Sequence, residues 1–71
     1  MNEEFEFHPS IRFEIRYRSL FNEGSCLSFP CDAEGHVDLD ALSSRARENY
    51  LYARAMVGRD YAHPAVEPVT T

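Results

Sequence analysis

The stretch IRFEIRY, residues 11 to 17, alternates strictly between apolar and charged side chains. Successive side chains of an extended chain point to opposite faces, so Ile11, Phe13, Ile15 and Tyr17 fall on one side and Arg12, Glu14 and Arg16 on the other. Such a run belongs in an antiparallel sheet with one face wet and one face covered. The turn formers Asn22-Glu23-Gly24-Ser25 follow, and after them the run CLSFPC, in which Leu27, Phe29 and Cys31 share a face. The pattern predicts a hairpin with strands near residues 10 to 20 and 25 to 31. Phe5-Glu6-Phe7 has the same period, but Pro9 interrupts it, and residues 1 to 9 are expected to be only partly ordered.

What covers the sheet is the second pattern. At about 100° per residue, Leu39, Leu42, Ala46, Tyr50, Ala53 and Val57 form one narrow stripe, which predicts a long helix lying on the apolar sheet face. Asp38 or Asp40 is placed to cap its start and Gly58 to end it. Between sheet and helix, Asp32-Ala33-Glu34-Gly35 reads as a turn, and His36-Val37-Asp38 as a short third strand or an extended lead-in. Past Gly58 two prolines and no sustained period give an expected tail over residues 62 to 71. The fold expected is α+β: a small antiparallel two- or three-stranded β-meander followed by one long α-helix packed on one sheet face, in a single domain over residues 1 to 71.

A chain of 71 residues lies near the lower limit for an unaided apolar core, so a partner or self-association enters early. It also has little room for a deep substrate cavity, which disfavours an enzyme. The net charge of -5 opposes general attraction to nucleic acid or anionic lipid. The opening MNEEFEFH has neither a cationic leader nor a long apolar run, so no signal or membrane anchor is expected and the chain is placed in the cytoplasm.

Chemistry-bearing residues concentrate in CDAEGHVDLD, residues 31 to 40. Cys26, Cys31 and His36, with Asp38 and His63 nearby, are zinc-type donors, but Cys26 and Cys31 stand five apart on one strand and so on opposite faces. That separation opposes both a shared ion and a strain-free disulfide. A Cys31 nucleophile served by His36 would need a cationic setting, and Asp32 and Glu34 supply the reverse. The stretch is therefore read as a strand end, a turn and a cap, with no catalytic residues, metal or cofactor expected; His36 alone is left without a structural task. Arg12, Arg16 and Arg18 share the polar strand face. They could meet nucleic acid phosphates, although a face laced with ion pairs around Glu14 is the favoured reading. Opposite the core stripe, Leu51, Tyr52 and Ala55, extended by Met56, make a second apolar patch on the helix where a monomer would ordinarily carry charge.

The block FPCDAEGHVDLDALSSRARENYLYARAMVGRDY, from Phe29 to Tyr61, resembles a segment of short uncharacterised bacterial proteins of similar size. It covers about half the chain and implies a bacterial cytosolic origin. No activity comes with that family, so no catalytic or binding residue is carried over. The expected function is a noncatalytic protein-interaction module, homodimeric through the Leu51, Tyr52, Ala55 and Met56 face or through a sheet edge. The alternative is a nucleic-acid-associated regulator using Arg12, Arg16 and Arg18, and after it a small zinc-binding or thiol protein.

The helix stripe is directly testable. Ala53 lets the helix approach closely, so Ala53→Leu should overpack the contact at a cost of about 1–3 kcal/mol, seen as a lower melting midpoint. An unchanged midpoint would remove Ala53 from the buried face.

Overall fold

In the computed structural model, which describes residues 11 to 70, the alternating run becomes strand β1 (Ile11–Arg18) and CLSFPC becomes β2 (Cys26–Cys31). The two pair antiparallel, with Tyr17 opposite Leu27 and Ile15 opposite Phe29. In the turn between them the Ser19 Oγ accepts from the backbone N–H groups of Phe21 and Asn22 at 3.1 and 3.0 Å, and Ser25 N–H donates to the Asn22 carbonyl at 2.9 Å. Gly24 takes a φ of 88°, which only glycine adopts without strain.

The helical region departs from a single long helix. A 3-10 turn (Leu39–Ala41) comes first, and helix α1 (Ser44–Ala55) has 12 residues. Ser43 causes the break. The Ser43 hydroxyl captures the Ala46 N–H at 3.1 Å, so it caps a new helix instead of continuing the old one. Asp38 caps the 3-10 turn through the Asp40 N–H. Leu39, Leu42, Ala46 and Val57 are half-buried and Tyr50 and Ala53 buried, so the stripe keeps its inward direction across the break.

The third strand is not at residues 36 to 38, which form only the extended lead-in. It is β3 (Ala65–Thr70), in the segment expected as a tail, and the sheet order is β2-β1-β3. The strands therefore do not form a meander: β1 is central, and the chain between β2 and β3 crosses from one edge to the other by way of α1. Since β2 and β3 are both antiparallel to β1, they run parallel to each other, and parallel strands require such a long crossover. The expectation for residues 1 to 9 lies outside the described residues.

Two prolines concealed β3, and backbone direction explains why the sheet tolerates them. Ser19 donates to Ser25 on the β2 side at 3.0 Å, whereas the Arg18 carbonyl accepts from Ala62 on the β3 side at 2.9 Å. Even-numbered β1 residues thus bond toward β3 and odd-numbered ones toward β2. Pro30 stands opposite Glu14 and Pro68 opposite Phe13, so both rings occupy sites whose N–H would have faced outward and no ladder bond is lost. Pro64 falls where the register slips by one residue, between the Arg16–Ala65 and Ser19–Tyr61 pairs, as at a β-bulge.

Ile15, Tyr17, Phe29, Tyr50 and Ala53 are buried, with Leu27, Cys31, Val37, Leu39, Leu42, Val57 and Tyr61 packed around them. Tyr17 sits at the hub. Its ring meets Phe29, Tyr50 and Tyr61 edge-on at centroid distances of 6.2, 6.4 and 6.5 Å. Phe29 and Tyr50 close the group at 5.2 Å. Burial, followed by the neighbouring Tyr50, raises the Tyr17 pKa.

Removing that hub should be close to fatal. Tyr17→Ala is expected to cost about 3–5 kcal/mol out of a total of roughly 4 to 10 for a domain of this length, with most of the cooperative melt lost. Tyr17→Phe keeps the ring and should stay within about 1.5 kcal/mol of the parent; similar melts for the Ala and Phe variants would deny Tyr17 its central place.

Candidate functional site

The segment CDAEGHVDLD folds as a closed loop. Asp32 N–H donates to the His36 carbonyl and Gly35 N–H to the Asp32 carbonyl, both at 3.0 Å. The Asp32 side chain turns inward on the same loop, accepting at Oδ1 from the Glu34 N–H at 2.9 Å and the His36 N–H at 2.8 Å. Its second oxygen stands 3.1 Å from His36 Nδ1, and Glu34 Oε1 is 3.6 Å from that nitrogen. The backbone N–H of His36 is the leading cause that holds the Asp32 carboxyl below its ordinary value, with the Glu34 N–H and the His36 ring adding to it.

His36 therefore has a partner, and it is Asp32 rather than Cys31. The imidazole closes the loop from outside and remains exposed. Gly35 has a φ of 90°, and a Cβ built there would lie 3.2 Å from Val66 Cγ2, so the loop leaving β2 reaches a residue of β3.

The thiols take no part in this arrangement. Cys26 is exposed, Cys31 half-buried on the other face of β2, and both are free. Burial, then the charges of Asp32 and Glu14, push the Cys31 thiol up from its ordinary value, which keeps it protonated and poorly nucleophilic. Among the described residues, Asp32, Glu34 and His36 bring ligand-type atoms within 4.8 Å of one another, all exposed to water. An open depression of about 410 Å³ runs beside them, lined in part by Cys31, Val37 and Asp38.

The arginine face is engaged within the chain. Arg16 lies 3.4 Å from Glu14 and 3.5 Å from Glu67, and Arg18 lies 3.4 Å from Glu67. Glu14 and Glu67 are cross-strand partners, so Arg16 neutralises two carboxylates that would otherwise repel. Arg12 is exposed on the same face. The Glu67 contribution could not be seen from sequence because β3 was not recognised.

On the helix, Leu51, Tyr52 and Ala55 are exposed and Met56 is half-buried. Met56 is absorbed into the C-terminal cap, its carbonyl accepting from the N–H groups of Arg59, Asp60 and Tyr61. The Tyr52 hydroxyl donates to Asp60 Oδ2 at 2.7 Å, and its ring meets Tyr61 edge-on at 6.3 Å. That hydrogen bond, and the Asp60 charge after it, hold the Tyr52 hydroxyl above its ordinary pKa. The chain past the helix thus grips one side of the patch and leaves Leu51 in water. The apolar residues that sequence reasoning passed over are Leu20 and Phe21, both exposed; the visible signal was an apolar pair breaking the alternation immediately before turn formers.

Comparison with protein-family models, with curated proteins and with solved structures gives no match to this chain. No helix among the described residues is long and apolar enough to cross a membrane.

The Asp32 loop yields a prediction with a defined sign. A carboxyl held below its ordinary value of 3.8 stabilises the fold fully above that pH, and the contribution disappears as pH falls through its lower folded value. Asp32→Ala should lower the melting midpoint more than Asp32→Asn, which retains an oxygen for the two N–H groups. The gap between parent and Asp32→Ala should hold steady above pH 3.8 and shrink below it; a gap that widened in acid would exclude the loop hydrogen bonds as its origin.

Proposed function

We propose that this protein is a noncatalytic interaction module that self-associates, with α1 covering one face of the sheet and the remaining apolar side of α1 meeting a second copy. The observation that supports this reading is the exposure of Leu51 and Tyr52 on a helix whose Tyr50 and Ala53 already supply its buried contacts. In a domain with so small a core, surplus apolar surface of this kind is a contact surface. The nucleic-acid alternative has against it the pairing of Arg16 and Arg18 with Glu14 and Glu67 and the negative net charge. The loop at residues 32 to 36 is a structural closure in this reading, its carboxylate occupied by backbone donors.

Sedimentation velocity over a range of concentrations tests the proposal. The parent should shift toward a dimer as concentration rises. Leu51→Glu places a charge in the contact and should raise the dissociation constant at least about tenfold, with the circular dichroism unchanged. A variant that sediments like the parent would take Leu51 out of the contact, and a parent that stays monomeric throughout would end the self-association reading.

A further inference from the structure

We infer that the contact between two copies is a composite surface in which Leu20 and Phe21, at the tip of the β1-to-β2 turn, join Leu51 and Tyr52 of the helix, with Phe21 as its anchor. This rests on the self-association reading above and specifies where the second copy is held. Asp60 brings the two parts together: its carbonyl accepts from the Leu20 N–H at 2.9 Å, and its carboxylate accepts from the Tyr52 hydroxyl at 2.7 Å. Tyr61 extends the junction, bridging to Ser19 through its backbone and touching Tyr52 through its ring.

Phe21 is 73% exposed, the highest value among the large apolar residues described, followed by Leu20 at 51%, Tyr52 at 49% and Leu51 at 46%. It is presented on a turn already fixed by the Ser19 hydroxyl, so little ordering entropy remains to be lost on contact. At about 200 Å² for a large side chain, the four leave on the order of 400 Å² of apolar surface. A stable pair buries about 800 Å² on each partner, somewhat more than half of it apolar. One patch per copy, matched across a two-fold axis, supplies most of the apolar part of such a contact without a second protein.

Two other occupants fit less well. The ten residues before Ile11 join β1 at the end opposite Leu20, about 30 Å away at strand spacing. Phe7 and Phe5, four and six residues ahead of Ile11, reach only about 14 and 21 Å from it even when fully extended. Pairing along a sheet edge is hindered by the prolines: Pro30 removes an outward donor from β2 and Pro68 one from β3. The next outward N–H beyond Pro30, that of Asp32, is already given to His36.

The test compares the full chain with Phe21→Ser, Leu51→Glu and Ser28→Pro by sedimentation against concentration, each variant first matched to the parent by circular dichroism. Phe21→Ala replaces any Phe21→Ser protein that fails that match. Ser28 faces outward on β2, so the proline there removes an edge donor and no ladder bond. The expected result is a dimer whose dissociation constant rises about 30-fold or more in the Phe21 variant, as for an anchor residue, and stays within about threefold of the parent in Ser28→Pro. A Phe21 variant as tight as the parent, alongside a weakened Leu51→Glu, overturns the inference and leaves self-association through the helix standing. Loss of the dimer in Ser28→Pro moves the contact to the β2 edge and overturns the inference as well. A monomeric parent removes both.

Discussion

Strands β1 and β2, helix α1 and the segment leading into β3 meet at one phenol ring. Tyr17 comes from the central strand and touches Phe29 of β2, Tyr50 of α1 and Tyr61 of the segment leading into β3. With five buried hydrophobic residues among those described, three edge-on contacts at about 0.5–1.5 kcal/mol each beyond their area are a large share of what holds the domain together. The arrangement also explains the strand order. A ring that meets β2 on one side and the approach to β3 on the other must come from the strand with neighbours on both sides, which is β1.

What the sequence made legible follows from strength of pattern. The IRFEIRY alternation placed β1, its inward face and the hairpin, because one face of a half-buried strand cannot shift register without exposing its apolar set. The helical stripe points to Tyr50 and Ala53 correctly, while the Ser43 cap that divides it is invisible to the period, since a capping hydroxyl breaks the hydrogen-bond ladder without disturbing the apolar spacing. β3 was missed for a sharper reason. Proline counts against a strand only when its N–H is needed inward, and the direction of Pro68 becomes visible only once the pairing with Phe13 is known. That partner is 55 residues distant in the chain, counting from 13 to 68, and no local pattern encodes it.

The dense stretch CDAEGHVDLD reads as separate structural tasks, of which two stand, since β2 closes at Cys31 and Gly35 turns the chain; the helix cap expected at Asp38 or Asp40 falls instead to Ser43, and Asp38 caps the 3-10 turn. The part not foreseen is cooperation between Asp32 and His36, which close the loop from its two ends. A side-chain carboxylate that accepts from backbone N–H groups two and four residues onward leaves a signature no stronger than that of any aspartate before a turn. The Arg16 and Arg18 pairs were half legible for a related reason: Glu14 is local, whereas Glu67 arrives on β3.

The pairing of Ile11 with Thr70 has a mechanical consequence. These residues are adjacent ends of neighbouring antiparallel strands, so tension applied through them pulls along the hydrogen bonds of the β1–β3 ladder, perpendicular to the strands, and not in shear. The bonds are then loaded one pair at a time, as in a zipper, and β3 peels away before the β1–β2 hairpin or the aromatic hub feels the force. Attached to a larger assembly by those two ends, the domain would yield early under tension and lose its outer strand first.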